Sequence, residues 1–248
     1  KSGEIMNVPK LRFKEFTDKW NTIDLSKTFN YFSTNSLSRE QLADSGIIKN
    51  IHYGDIHKKY GCIVDMKKEV SSYIKDPNYN NKYEKCQNND LIFADASEDY
   101  DGIGKAIEIV NVNESVVSGL HTILVRDNLK LFSPRFKGYY FNSPIIHNQI
   151  RIQANGFKVF GISKDTISNL NVKIPSKEEQ TKIANFLSLL DKKIELQTKK
   201  IEDLKLYKLS LRENLFNMFE TEEKTLSKIL VKWNKKNKDN EYSYVESV

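Results

Sequence analysis

The longest regular hydrophobic pattern in the chain lies between Ser176 and Phe219. Apolar residues recur there in alternating steps of four and three, and no Gly or Pro follows Pro175. The apolar seam consists of Ile183, Leu187, Leu190, Ile194, Ile201, Leu204, Leu211, Leu215 and Met218, with polar Gln197 and Lys208 in the same register. Such a 3.5-residue repeat predicts one long helix whose apolar edge pairs with another long helix.

The sequence also indicates where this helix begins. Pro175 precedes it, and Ser176 and Glu179 have the spacing of a capping box, in which each side chain satisfies a free backbone N–H. At 1.5 Å per residue the helix is expected to run about 65 Å. That length exceeds what the preceding residues can cover, which favours pairing between helices. A helix lying along its own domain is the alternative.

Before Pro175 the pattern changes to short apolar runs separated by turns rich in Asn, Asp and Gly. The candidate strands are 47–52, 61–65, 90–95, 105–111, 121–126 and 158–162. We expect Ser133–Gln153 to be partly helical, with a break at Ser143 and Pro144, and Asp76–Asn89 to be a polar loop. The predicted fold is α+β, with a mixed, mostly antiparallel sheet followed by one long coiled-coil-forming helix.

This pattern divides the chain into a globular domain at 1–174, a long helix at 175–219 and a charged tail at 220–248. No apolar run is long enough to span a membrane, and the first residues lack the apolar stretch of a signal peptide. Position 1 is not Met, which is compatible with a piece of a longer chain.

Composition narrows the class of partner without choosing one. The net charge of +6 and the pI of about 9.0 permit nucleic acid, an anionic membrane or an acidic protein. The two cysteines, Cys62 and Cys86, have no neighbours at ligand spacing and do not indicate zinc. Two thiols without a signal peptide favour a reducing, cytoplasmic location.

The first candidate for a contact with nucleic acid is the stretch Ile51–Tyr60, predicted to be a strand that leaves the core through Gly54 into a polar loop. Its rings and hydrogen-bond donors suit base edges and phosphates. The predicted DNA contacts here are Lys49, Asn50, His52, Tyr53, His57, Lys58, Lys59 and Tyr60. A metal site formed by His52, Asp55 and His57 and an ordinary surface loop are the alternatives.

The second candidate is Asp90–Lys105, in which an apolar run ends in an acidic loop and a Gly-x-Gly turn. Its carboxylates can accept from the cytosine amino group or hold nearby basic residues in place. We expect Ser97, Tyr100 and Lys105 to contact DNA. The alternatives are a nuclease metal site using Asp95, Glu98 and His57, and a solvated turn with structural glycines.

The third candidate lies between Asp127 and Asp165, where no acidic residue occurs and basic residues alternate with aromatic ones. Uncompensated positive charge attracts phosphates, and Asn, Gln and Arg can read bases. The predicted contacts are Arg135, Lys137, Gln149, Arg151, Gln153 and Lys158. The alternative is that the aromatic rings form a core and the basic residues are only solvated.

No nucleophile elbow, Walker A loop, dinucleotide fingerprint or HExxH motif occurs in the sequence. The chain therefore has the features of a binding module with an assembly helix, and no cofactor site or metal site is predicted.

Several segments, taken in order, resemble the specificity subunit of type I restriction-modification systems. They are Pro9–Phe16 with Trp20, the Gly-Asp-Ile of 51–57, Val117–Thr122, Gly161–Lys164 and Ile174–Gln180 followed by the long helix. The similarity covers about residues 8 to 219. Only one recognition domain and one spacer helix are present, and Lys1–Glu4 resembles the linker after a first spacer helix, which favours a C-terminal half or a half-subunit.

The resemblance implies a target recognition domain, here 1–174, followed by a spacer helix. It implies that the chain catalyses nothing and reads one half of a split double-stranded DNA site. The implied partners are a second copy or second half that pairs through the helix, two modification subunits that use S-adenosylmethionine to methylate adenine, and restriction subunits that use ATP. An adaptor that binds an acidic protein through its basic face is the alternative function.

Overall fold

The computed structural model describes residues 9, 11–69, 71–80, 82–156 and 158–217. The strands are β1 Asn21–Ile23, β2 Phe29–Phe32, β3 Leu42–Ala43, β4 Lys49–Ile51, β5 Ile63–Asp65, β6 Ser72–Ile74, β7 Leu91–Ala94, β8 Ala96–Ser97, β9 Ala106–Val110, β10 Val116–Ser118, β11 Thr122–Asp127, β12 Phe160–Gly161 and β13 Val172–Ile174. The helices are α1 Leu25–Thr28, α2 Tyr53–Lys58, α3 Phe136–Phe141, α4 Pro144–Gln153, α5 Lys164–Ser168 and α6 Lys177–Asn217, with a 3-10 turn at Arg39–Gln41.

A five-stranded sheet in the order β2-β11-β7-β9-β5 forms the centre of the domain, and only its β5–β9 edge pairing is parallel. A four-stranded sheet has the order β10-β4-β6-β3, in which β10 and β4 are parallel. Two-stranded antiparallel ribbons join β1 to β13 and β12 to β8. The predicted α+β class with a mostly antiparallel sheet is confirmed.

The central sheet is buried on both faces, which explains why its strands are continuously apolar. Leu91 and Phe93 of β7 belong to one core cluster, whereas Ile92 and Ala94 belong to the other. Side chains alternate between the faces of a strand, so the two clusters lie on opposite sides of the sheet. The sequence pattern therefore located the inner strands but could not assign their faces.

The segment Ser133–Gln153 forms two short helices, α3 and α4, as predicted, and the break between them lies at Ser143. Phe136 and Phe141 of α3 pack with Phe132 in the first core cluster. Gly138 allows α3 to approach β5 closely, because a Cβ at this position would collide with the carbonyl oxygen of Cys62. The aromatic residues of this segment are thus core residues.

The stretch after Ile51 corrects one expectation. It is not an irregular polar loop but the helix α2, with His52 at its N-cap. Six residues give too little periodicity to reveal a helix, and Gly54 within them resembles a turn signal.

The long helix is confirmed as a continuous 41-residue element, α6. The backbone N–H of Glu179 donates to Ser176 Oγ at 3.3 Å, which is one half of the predicted capping box. The Glu179 carboxylate does not complete the box. It is buried and accepts from Nε and Nη2 of Arg12, both at 2.6 Å.

Gln180 fixes the same turn to the domain. Its Oε1 accepts from the N–H of Ser133 at 2.8 Å, and its Nε2 donates to the carbonyl oxygens of Leu131 and Pro175. Glu179 and Gln180 therefore anchor the start of α6 through side-chain bonds rather than through apolar burial alone.

The chain divides into two units, Lys1–Leu190 and Asp191–Val248, so α6 begins inside the first unit. Within the second unit every described side chain from Asp191 to Phe216 is exposed. The tail 220–248 and the seam position Met218 lie outside the described residues, and the predicted boundary at Pro175 stays a prediction. Among the described residues, no helix is sufficiently long and apolar to cross a membrane.

Candidate nucleic-acid interface

Six of the predicted DNA contacts are corrected by their location in the interior. They are Lys49, Asn50, His52, Tyr60, Ser97 and Lys137, each less than a tenth exposed. Polar groups taken out of water are expected to be hydrogen-bonded within the protein. Each of these residues has such a structural partner within the domain.

Lys49 and Asn50 illustrate the pattern on β4. Lys49 Nζ donates to the carbonyl oxygen of Met66 at 2.9 Å and pairs with Glu114 at 3.2 Å. Asn50 Oδ1 accepts from Asn35 Nδ2 at 2.7 Å. Both side chains hold neighbouring segments together, so these two polar residues have a structural role.

Lys137 forms a buried ion pair with Glu108, whose Oε1 lies 3.3 Å from Nζ. The Glu108 carboxylate also accepts from the N–H groups of Arg135 and Gly138, at 2.8 and 2.9 Å. Burial raises the pKa of Glu108, and the lysine with the two N–H donors opposes that rise. Lys137 therefore compensates a buried carboxylate and is not available to a phosphate.

His52 is the N-cap of α2. Its Nδ1 accepts from the N–H of Gly54 at 3.1 Å and lies 3.3 Å from Nη2 of Arg39. Burial, assisted by the Arg39 charge, lowers the pKa of His52 from 6.5 to about 4. The imidazole is therefore neutral at neutral pH, as its acceptor role at Nδ1 requires.

Tyr53 lies at the centre of a group of rings that is partly open to solvent. Its ring centroid is 5.2 Å from that of His121 and 6.2 Å from that of His57, both in edge-to-face geometry. His57 Nε2 is 3.0 Å from the carbonyl oxygen of Ala96, and His121 Nδ1 is 3.2 Å from the carboxylate of Asp95. Residues from α2, β8 and the turn before β11 thus meet at one surface.

An open cleft of about 590 Å³ lies beside this ring group and is lined in part by Arg39, Tyr53, Lys58 and Lys59. The carboxylate of Asp55, which is buried, pairs with Arg39 at 3.0 Å and with Lys59 at 3.1 Å. Asp44 also lines the cleft, so three cations face two carboxylates, which leaves positive charge at the rim. Such a rim can attract a phosphate.

A third cluster, the Arg151 corner, consists of Tyr100, Asp101, Arg151 and Phe160. Arg151 Nη1 lies 2.5 Å from Asp101, and its guanidinium carbon is 5.3 Å from the Tyr100 ring centroid. Tyr100 donates from its hydroxyl to the Arg151 carbonyl oxygen at 3.0 Å and packs on Phe160 at 5.0 Å between centroids. The acidic turn therefore holds a basic residue in place, one of the roles expected for its carboxylates.

Two further predicted contacts have structural partners. Lys105 Nζ donates to the carbonyl oxygens of Tyr60 and His57, at 2.8 and 3.3 Å. Gln149 bonds the backbone of Asn171 in both directions, donating from Nε2 at 3.1 Å and accepting at Oε1 at 2.8 Å. These two side chains connect segments of the domain and are weaker candidates for binding DNA.

The metal alternatives have no support among the residues that the structure describes. In that part of the chain no group of three or more His, Cys, Asp or Glu side chains is placed to hold a metal ion. Asp55 faces Arg39 and Lys59, His52 caps α2, and His57 contacts a backbone carbonyl.

Comparison with known proteins identifies the chain. The family model described as the type I restriction modification DNA specificity domain matches residues 17–206. The chain belongs to this family. A comparison with curated protein sequences finds no significant match.

Solved structures resemble this specificity domain in fold. The S subunit of a type-I restriction-modification system from M. genitalium is 17% identical with a TM-score of 0.56, over 86% of this chain and 49% of that one. The HsdS subunit from Thermoanaerobacter tengcongensis is 12% identical with a TM-score of 0.45, over 76% and 41%. A chain from a structure of type I R-M complex assembly and conformational transition is 14% identical with a TM-score of 0.47, over 83% and 51%. The specificity domain spans about half the length of the first of these chains.

The surface of the specificity domain also contains residues that sequence reasoning did not select. Arg39 and His121 lie at the cleft and the ring group, together with the predicted Tyr53, His57, Lys58 and Lys59. Arg39 follows no local motif, so only the fold brings it to α2. His121 lies within the Val117–Thr122 segment that resembles the family. Its backbone φ of 54° is in the left-handed region, which few residues other than glycine adopt.

The remaining predicted contacts are accessible. Arg135 and Lys158 are exposed, and Gln153 is partly exposed. On α6 the predicted pairing residues differ by position. Ile183 and Leu187 are partly buried, whereas Leu190, Ile194, Ile201, Leu204, Leu211 and Leu215 are 41–63% exposed.

Proposed function

We propose that this specificity domain reads one half of a bipartite double-stranded DNA site and catalyses no reaction itself. The observation that carries the proposal is the family match over residues 17–206, because the family is defined as a DNA specificity domain. The M. genitalium neighbour is itself the S subunit of a restriction-modification system. The adaptor alternative has no comparable support.

The geometry supports a location for this activity. Arg39, Lys58 and Lys59 border the cleft, and Tyr53, His57 and His121 lie beside it. Cations at a rim neutralise phosphates, and rings or neutral donors next to them can meet base edges. We therefore assign backbone binding to the cleft and base contacts to the adjacent ring group.

The partners follow from the same proposal. The exposed seam of α6 pairs with a second long helix, from another copy or from a second half of the subunit. Modification subunits dock on the assembled scaffold and supply S-adenosylmethionine, and restriction subunits that use ATP join them. The single chain needs neither cofactor for binding DNA.

Salt dependence tests the proposal. The affinity of the full chain for a pool of random duplexes should fall linearly on a log–log plot against salt, with a slope of about −0.9 per phosphate contacted. Lys59→Ala should reduce that slope by about one phosphate contact. Lys27→Ala is the matched control. Lys27 is exposed like Lys59, and it pairs with the carboxylate of Asp24 just before it in the chain, as Lys59 pairs with that of Asp55.

The outcomes separate the alternatives. A slope near zero, or equal effects of the Lys59 and Lys27 variants, would contradict the assignment of the cleft. Binding to an acidic protein that excess duplex DNA does not displace would favour the adaptor instead.

A further inference from the structure

The Arg151 corner differs from the cleft in the kind of contact it can make. Arg151 is about one-third exposed and is held from three sides. Tyr100 lies against the guanidinium, Asp101 binds Nη1, and the Tyr100 hydroxyl ties the ring to the Arg151 backbone. Residues 50 positions apart in sequence therefore form one rigid unit at the end of α4.

This rigidity matters because arginine loses rotamer freedom when it binds. A guanidinium already stacked on a ring and tied to a carboxylate has lost that freedom before binding. Nε is buried without a partner among the described residues, and no acceptor there is bonded to Nη2, so the Nη1–Nη2 edge is the side of the planar fork that stays available. A planar fork presented at its edge matches two neighbouring acceptors, such as O6 and N7 of guanine.

The local charge argues against a phosphate as the ligand. Asp101 pairs with the guanidinium, and Glu98 and Asp99 lie in the same exposed turn as Tyr100, so the turn itself is negatively charged. Like charges repel, and this turn disfavours an anion. The neutral, acceptor-rich edge of a base pair meets no such repulsion.

We propose that Arg151 and Asp101 together read one G·C base pair in the major groove. Arg151 donates to the guanine acceptors, and Asp101 accepts from the amino group of the paired cytosine, the pattern that distinguishes G·C from the other pairs in that groove. Tyr100 is a positioning residue that holds the guanidinium plane. This inference rests on the proposed function, and it adds a specified base pair to it.

The experiment enriches bound sequences from a pool of duplexes with a randomised core, using the full chain. The wild type should enrich duplexes with an invariant G·C pair at one position. Arg151→Ala should lose the preference at that position only, whereas Arg151→Lys should weaken it, because lysine keeps the charge and can still donate to guanine but lacks the fork. Lys158→Ala, a nearby exposed cation on the loop before β12, is the control and should lower affinity for all sequences equally.

A chemical probe tests the contact directly and does not depend on how well a variant folds. The enriched duplex is made again with 7-deazaguanine at the invariant position, which removes the N7 acceptor. Wild-type affinity should fall about 2- to 13-fold, because one of the two hydrogen bonds of a bidentate contact is lost while that to O6 remains. The affinity of Arg151→Ala should not change, because alanine makes no contact with N7.

The outcomes are distinguishable. If the wild type enriches a sequence and Arg151→Ala retains every base preference, the G·C assignment is overturned while DNA recognition stands. An equal effect of 7-deazaguanine on wild type and Arg151→Ala also overturns it. If the wild type enriches no sequence at all, both this inference and the proposed function fail.

Discussion

His52 stabilises the start of α2 in its neutral form. Its pKa is about 4 in the folded protein, against 6.5 for an unperturbed histidine, so between these values the unfolded chain binds the additional proton. Stability therefore rises with pH through this window and is lost as pH falls through it. The N-cap of α2 is thus a pH-sensitive part of the scaffold.

Replacing His52 with Asn should remove this pH dependence. Asn is a good N-cap and does not titrate, so the stability of His52→Asn at neutral pH should stay within about 1 kcal/mol of the wild type. Urea midpoints measured at about pH 7 and about pH 5 should differ less for the variant than for the wild type.

His52→Ala is the matched control, because it removes the titrating ring and the cap together. At both pH values it should be about 1 kcal/mol less stable than His52→Asn, with the same shallow dependence on pH. If the His52→Asn midpoint falls with acid as steeply as that of the wild type, another group is responsible.

Residue type alone was a poor guide to the interface. Lys49 and Lys137 have the charge that a phosphate requires, yet each compensates an acidic group, Glu114 or Glu108, inside or at the edge of the fold. Nothing in the local sequence separates such lysines from Lys58 and Lys59. The distinction depends on which face of a strand or helix is buried, and long-range packing decides that.

At the scale of elements, α6 presents two kinds of exposed leucine. Leu204 belongs to the seam and is 56% exposed, whereas Leu206 is off the seam and is 65% exposed. At about 100° per residue the two side chains point roughly 200° apart around the helix. Exposure alone does not distinguish them, but the 3.5-residue repeat does.

The pairing prediction uses these two residues as a matched pair. Leu204→Gln should raise the dissociation constant of the dimer about 10²- to 10⁴-fold, because each of the two copies loses about 1.5–3 kcal/mol of apolar burial. Leu206→Gln should leave it nearly unchanged. Sedimentation equilibrium of the full chain measures both.

Equal effects of Leu204→Gln and Leu206→Gln would show that the seam is misassigned. Far-ultraviolet circular dichroism checks that each variant stays helical.

Other elements show what the sequence could and could not predict. The inner strands β7, β9 and β11 and the long helix α6 have strong patterns, and all four were predicted. Strands β1, β2, β6 and β10 have only three or four residues each and exist because distant partners pair with them. The same reason applies to the Arg151 corner, in which the ribbon β8–β12 helps to bring separate parts of the chain together.

At the scale of the whole molecule, the charged residues behind the net charge of +6 form different local arrangements. The cleft on α2 has positive charge at its rim, whereas the guanidinium of the Arg151 corner is paired with Asp101. The first arrangement suits phosphates and the second suits base edges.

The most direct test of DNA specificity is the adenine-methylation pattern of the source genome, read by single-molecule sequencing with and without this chain. One bipartite motif should be methylated when the chain is present and unmethylated when it is deleted, with the modification subunits present in both cases. Arg151→Ala should relax one G·C position of that motif. An unchanged set of methylated motifs after deletion would contradict the claim that this domain determines DNA specificity.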